Sequence, residues 1–365
     1  MSALDTVSRS EETAPARQPR TPRTIRVMTV EDWWSLAGSL LASFALVTVV
    51  YEHLLDGSGT LGFFVCWYFA LLLIYGFVTA VSNSRHIVLD RLVTVTVFIA
   101  AAVVLFALGT TVVFTFAKGW HAFVHLNFFT RDMSGVSLTA PLDQGGILHA
   151  IVGSLIEVGI AVAVSLPLGI GTAVYMSEVG GRGSRMVRTV VEAMTALPEI
   201  LAGLFVYVTL IVDFGLPKSG LAVSVAMAVT MVPIMARASE VALRVVPNGL
   251  REASSALGAS HWKTVHKVVL PSARAGLATA AILGTARGIG ETAIPLINSG
   301  ASSFMNFNPA GNPMNSLPLF TYTAYLTGEP LAVERAFGAA SVLLAMVLIL
   351  FVAIRLISGN KVASR

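Results

Sequence analysis

The chain has 365 residues, 55% of them hydrophobic and 12% charged, and a formal net charge of +4. A soluble domain carries about 25% charged residues. Here the charge is halved and the apolar residues are gathered in long blocks, so a water-soluble fold is excluded and the surrounding solvent is lipid. The basic residues cluster at the ends of the apolar blocks without an aromatic–basic surface motif, so they mark membrane topology rather than nucleic-acid binding.

Residues 1–30 are rich in Arg, Thr, Ser and Pro, with Arg9, Arg17, Arg20, Arg23 and Arg26 among them. Such a stretch cannot bury enough apolar area to order itself. It is longer than the basic region of a signal peptide, and the apolar block after it is of spanning length. It therefore reads as a retained, disordered cytoplasmic tail. A spanning helix needs about 20 apolar residues, and eight blocks qualify: 33–54, 61–81, 92–117, 147–176, 187–213, 221–243, 274–299 and 336–357. The expected fold is an all-α integral membrane protein, because irregular backbone in hydrocarbon leaves its polar groups unsatisfied. Pro167, with Gly169 and Gly171 beside it, is expected to kink or tilt the fourth span. Cys66 lies inside the second block and is expected to fill space. Its single thiol offers no intramolecular disulfide.

Lys and Arg in the connections set the orientation. Eighteen lie at the two termini and in the connections on the tail side, Arg85, Arg91, Arg182, Arg185 and Arg188 among them. Four lie on the other side: Lys118, Arg131, Lys218 and Arg335. Both termini are therefore expected on the cytoplasmic side of the membrane. The outer connection 300–335 is rich in Asn and Pro, and its sequence allows either an ordered surface loop or a flexible one.

The inner connection 244–273 carries the strongest signal. Glu252 to Leu257 has helical propensity, and Gly258 suits the left-handed residue that closes a helix. Leu270-Pro271 marks the entry to the next span, because Pro is tolerated in a first helical turn. One reading is an ordinary amphipathic surface helix. The other comes from resemblance: Glu252, Ala253, Gly258, Leu270 and Pro271 match the "EAA" loop of bacterial ABC importer permeases. Ser254 stands for its second Ala and Val268 for its Ile. The resemblance implies a coupling helix that docks on a separate ATPase. The sequence contains no Gly-x-x-x-x-Gly-Lys-Ser/Thr phosphate loop of its own, so ATP and Mg would be bound by a partner chain and this chain needs no cofactor.

Charged residues inside spans are functional candidates. Arg287 lies about 20 Å along the seventh span at 1.5 Å per residue. Glu291, four residues on, would share its face and could pair with it. Arg237 lies in the sixth span near its inner end. Two converging guanidinium groups suit a tetrahedral oxyanion, because the planar fork makes paired charge-assisted bonds. The plainer alternatives are mutual neutralisation of Arg287 and Glu291, and snorkelling of Arg237 to the interface. The seven His are scattered, and His261 and His266 read as solvated surface residues rather than metal ligands.

Further segments resemble the PstA-type permease of the bacterial high-affinity phosphate importer. Ala286 to Ala293 is similar to its "ARAIGETAPL" segment, and Pro198 to Leu204 to its "PSIVAGL". Gly145-Gly146-Ile147 with Gly153-Ser154-Leu155 is similar to "GGI…GTL". Pro167-Leu168-Gly169 with Tyr175 to Glu178 is similar to "PLG…YLSE", and Val232 to Arg237 to "LPxxxR". The resemblance covers about 92–358 and implies a six-helix type I importer core, with Arg237, Arg287 and Glu291 on the substrate path. It also implies a PstC-like homologous permease, a PstB-like ATPase dimer and a PstS-like extracytoplasmic binding protein as partners. The spans in 33–81 have no counterpart in that core. Ala293-Ile294-Pro295-Leu296 is one residue longer than the family's Ala-Pro-Leu, Glu199 replaces a small polar residue, and Glu157 adds an acid in the fourth span. Either acid could pair with Arg237 or Arg287, or with a partner subunit. Three rivals stay open: a permease for another oxyanion or phosphonate, an ion-coupled secondary transporter using the intramembrane acids, and a membrane anchor without transport.

Overall fold

The computed structural model describes residues 30–54 and 59–359. The expected cytoplasmic tail, apart from its last residue, lies outside the described residues, as do Lys361 and Arg365. Among the described residues the chain is helical without a named strand, with one isolated bridge between Gly300 and Met314. Among the described residues seven helices are long and apolar enough to cross a membrane, or eight if one sharply bent pair counts as a single span.

The chain divides into two compact units, the first ending at Phe106 and the second beginning at Ala107. The division falls inside the third helix rather than in the connection before it. The first unit contains α1 (Val30–Thr48), which runs on into a π-helical turn at Val49–Leu54. It also contains α2 (Thr60–Ser82) and the first part of α3 (Arg85–Phe123). Leu71, Tyr75 and Val95 form its core, with Leu36, Leu40, Leu92 and Ile99 packed on them. Helices in lipid gain little from hydrophobic burial against one another, so polar contacts between them matter more. Here the Trp67 indole donates to Ser43 Oγ at 3.1 Å, the Tyr68 hydroxyl donates to Thr96 Oγ1 at 3.2 Å, and Arg91 pairs with Asp32. Cys66 is exposed on α2 and does not fill a core gap. Leu71 and Tyr75 take that inward face instead.

The second unit is built on α5 (Leu148–Val174), α8 (Gly220–Arg244), α11 (Leu270–Ile289) and α14 (Pro330–Gly359). α8 lies at its centre, with Val223, Ala226, Met227, Met231, Met235 and Leu243 buried. Small residues let these helices approach closely. A Cβ on Gly169 of α5 would lie 2.8 Å from Met235 Cβ, and one on Gly288 of α11 would lie 2.6 Å from Met231 Sδ. A Cβ on Gly119 of α3 would meet the Gly338 backbone N of α14 at 2.7 Å. α5 runs unbroken through Pro167 and ends in a π-helical turn at Tyr175–Val179.

Two expected spans are not continuous. The fifth, 187–213, is a pair of helical segments, Gly181–Thr195 and Glu199–Asp213, bent by 101°. The first segment is α6; the second is α7 (Glu199–Val206) continued by a π-helical stretch, Tyr207–Asp213. Pro198 sits in the break. It has no N–H to donate and its ring opposes the preceding turn, so a helix cannot pass through it cheaply. α6 is amphipathic, with Val191 buried and Arg182 and Arg185 exposed, which suits a helix lying in the membrane interface. The seventh span, 274–299, stops at Ile289 and resumes as α12 (Ala293–Asn298) after Gly290, Glu291 and Thr292.

The connections expected on the outer side are ordered. α4 (Asn127–Thr130) and α13 (Leu317–Leu326) pack with Ile147, Ala150 and Ala336 in one cluster. The Asn306 amide donates to the carbonyls of Asn312 and Pro313, both at 3.1 Å, and that of Asn315 to Ser302 O at 2.9 Å. The Asn residues that made 300–335 ambiguous in sequence thus bond backbone groups left unpaired by the absence of regular structure. Arg335, 1% exposed, donates to four carbonyls of the 138–144 loop. The charge pattern counted it as an outer-side topology residue, and its structural role was not visible there.

Candidate functional site

Arg287 lies two residues before the end of α11 and is 52% exposed at its side chain. It does not pair with Glu291. Helix α11 ends at Ile289 and Gly290 caps it, so the four-residue spacing no longer places Glu291 on the arginine's face. The Glu291 carboxylate instead accepts the Ala293 N–H at 3.0 Å, closing the turn into α12. The ion-pair partner of Arg287 is Glu199, in the first turn of α7. Arg287, Glu199 and Glu291 line one cavity of about 660 Å³, together with Ala286, Gly290 and Thr292.

Arg237 lies on α8, seven residues before the helix ends at Arg244, and 49% of its side chain is exposed. It contacts Glu192 of α6 at 3.1 Å and Glu240, one turn on, at 3.4 Å. Glu240 is buried and serves as a hub: Arg188 reaches its Oε1 at 2.5 Å and Arg244 at 2.6 Å. One buried carboxylate facing three guanidinium groups is fully compensated, which meets the requirement for a charge removed from water. This network fastens α6 to α8.

The expected convergence of the two arginines is not found; each is held by its own carboxylates. Along the α8–α11 seam Met235 meets Gly284 and Met231 meets Gly288. That register puts Arg287 roughly 8 Å further from the inner connection than Arg237. Glu157, the other acid in question, pairs with neither arginine. It is buried on α5, and its Oε1 has no hydrogen-bond partner.

The connection 244–273, expected on the inner side, contains α9 (Asn248–Ala256), a turn longer at its start than expected, and α10 (His261–Thr264). Gly258 has φ +77°, the left-handed conformation that favours glycine. Its N–H donates to Ser255 O at 3.0 Å, so the helix is closed as its sequence indicates. Pro271 sits in the first turn of α11. Glu252, Ala253 and Leu257 are exposed, as are Trp262, His261 and His266. A residue outside the matched pattern fixes the helix: Arg251 pairs with Glu178 at 2.8 Å and donates to Val246 O at 2.7 Å and Leu243 O at 3.1 Å. Its place beside Glu252 was the only sequence cue. Among the described residues no group of three or more His, Cys, Asp or Glu could hold a metal ion.

At the end of the second unit expected to face outward, Asp132 ties two connections together. Its carboxylate accepts the Met305 N–H at 2.9 Å and both the N–H and hydroxyl of Ser134. Burial pushes this carboxyl up, but those hydrogen bonds to its charged form outweigh burial and hold it below its ordinary value.

The family described as "Binding-protein-dependent transport system inner membrane component" matches residues 165–359. The phosphate transport system permease protein PstA 1 of Mycobacterium tuberculosis is 39% identical over 232 residues, 63% of this chain and 76% of that protein. The corresponding PstA protein of Mycobacterium leprae is 38% identical over 254 residues, 69% of this chain and 82% of its own. Among solved structures, the inward-facing MetNI methionine ABC transporter is similar over 59% of this chain and 92% of its own, at 24% identity and a TM-score of 0.43. With the family pattern covering more than half of its residues, this chain belongs to the inner membrane components of binding-protein-dependent transport systems.

Proposed function

We propose that the chain is the PstA-type permease subunit of an ATP-driven importer of inorganic phosphate. The observation that carries this reading is Arg287: a guanidinium well inside the membrane-spanning bundle, half exposed, on the wall of a cavity of about 660 Å³. A charge at that depth is costly unless it faces a polar path, and its planar fork matches the oxygens of a phosphate. Relatives named as phosphate transport permeases support the cargo.

A homologous permease subunit completes the path on the open side of this cavity, and an extracytoplasmic binding protein delivers phosphate to the outer connections. Two ATPase subunits, which bind ATP and Mg, engage α9 at Glu252, Ala253 and the exposed Leu257. Their closure pushes α9, and Arg251 passes the displacement to Glu178 and to the end of α8, the helix that carries Arg237 two turns earlier. This chain itself breaks no bond.

The test is uptake of radiolabelled phosphate by the assembled complex in vesicles. Arg287→Ala is expected to reduce uptake by at least about a hundredfold, on the order of 3 kcal/mol for a lost guanidinium–anion contact, with assembly intact. Uptake at the wild-type rate would falsify the reading. The orientation follows from the same account: protease added outside intact cells leaves the N-terminal tail uncut, and cleavage there refutes a cytoplasmic N-terminus.

A further inference from the structure

We propose that Glu199 is a built-in competitor of the anionic cargo: its carboxylate occupies the Arg287 guanidinium, and cargo must displace it to be bound. This rests on the reading of Arg287 as the anion-handling group of a phosphate permease.

Charge within the cavity leads to it. One guanidinium, Arg287, faces two carboxylates, Glu199 and Glu291. An incoming anion therefore meets no surplus positive charge on this wall. Glu291 is engaged by the Ala293 N–H, whereas Glu199 is the acid paired with Arg287. A carboxylate offers a guanidinium two acceptor oxygens, as a phosphate does, so the two compete for one fork.

The pair is placed for exchange rather than for holding helices together. Arg287 is half exposed, a quarter of the Glu199 side chain is accessible, and both line the cavity; the Glu199 Oε1 that faces Arg287 is buried and holds no hydrogen bond that would fix it there. The anchoring of α7 is supplied elsewhere: Ala202, Gly203 and Val206 are buried, and the Asn298 amide donates to Gly203 O at 3.1 Å. Nothing in that packing requires the ion pair. Glu199 also stands where the phosphate-permease segment that this stretch resembles has a small polar residue, so the competition distinguishes this chain from that pattern. A resident counter-ion weakens cargo binding and assists release, because Arg287 is re-paired as cargo leaves.

The experiment compares wild type, E199Q, E199S and E199D in the complete permease–ATPase complex, reconstituted in vesicles and supplied with radiolabelled inorganic phosphate. Removing the carboxylate lowers the apparent KM about three- to tenfold, the scale of one partly exposed ion pair. The maximal rate falls with it, because cargo leaves more slowly. E199D, which keeps the charge, stays within about twofold of wild type. A helix-locking role would lower the amount of assembled complex without lowering KM. An unchanged or raised KM in both E199Q and E199S overturns the proposal. Absence of phosphate uptake by wild type instead overturns the underlying reading of the cargo, so the two failures are distinct.

Discussion

Replacing Arg335 removes four of the side-chain hydrogen bonds that organise the 138–144 loop, leaving that from Asn127 to Leu142 O. Its guanidinium donates to Leu138 O at 2.9 Å, Ala140 O at 2.6 Å, Pro141 O at 2.7 Å and Gln144 O at 2.7 Å. Hydrogen bonds from a charged donor contribute about 1.5–3 kcal/mol each, so four amount to at least about 6 kcal/mol gross. Against this stands the cost of burying the guanidinium, several kcal/mol, which the substitution relieves. Arg335→Met, close in length and apolar, is therefore expected to cost about 3 kcal/mol net. The cost concentrates on the loop, whose carbonyls lose their donor. Lys at this position restores only part, since an ammonium cannot span four acceptors with a planar fork. The assay is thermal unfolding of the purified protein in detergent together with amide hydrogen exchange. Exchange at Gln144 and Gly146, whose N–H groups donate to Pro141 O and Asp132 O, should accelerate well before that of α5. A loop with wild-type protection and a midpoint within about 1 °C of wild type would refute the clamp.

Gly258→Pro forces φ to about −65° at a position that holds +77°. It should abolish cargo-stimulated ATP hydrolysis, while Gly258→Ala, costing about 1–2 kcal/mol, leaves most of it; unchanged hydrolysis in the Pro variant rules out coupling through this turn. The carboxyl of Asp132 is depressed in the folded protein, so it stabilises the fold above its unfolded value near about 4 and that contribution is lost as pH falls through the folded value. The melting difference between wild type and Asp132→Asn should thus be full at neutral pH and shrink below about pH 4. A gap that stays constant down to acid pH contradicts the assignment.

What could be read from the chain in advance was whatever depends on neighbours in sequence. The long apolar blocks, the glycine that closes α9 and the proline in the first turn of α11 follow from local propensity, and each is found. The fifth span shows the limit. Its apolar content is sufficient for one crossing, yet Pro198 turns it into two segments bent by 101°. The proline was in view, but hydropathy averaged over a window does not register a missing N–H.

The candidate site divides in the same way. Arg237 and Arg287 stood out because a charge in an apolar block is costly. Their partners did not, apart from the general possibility that Glu199 reaches one of them. Spacing along an unbroken helix favoured Glu291, and the stop at Ile289 removed that geometry. Sequence alone determined that this chain spans a membrane, which arginines fall within its apolar blocks and where α9 ends, because each is a property of a continuous stretch. Tertiary structure alone decided that Glu199 faces Arg287, that Glu240 gathers three arginines and that Arg335 clamps a loop. Those pairings join groups whose proximity is fixed by how helices cross and where they break.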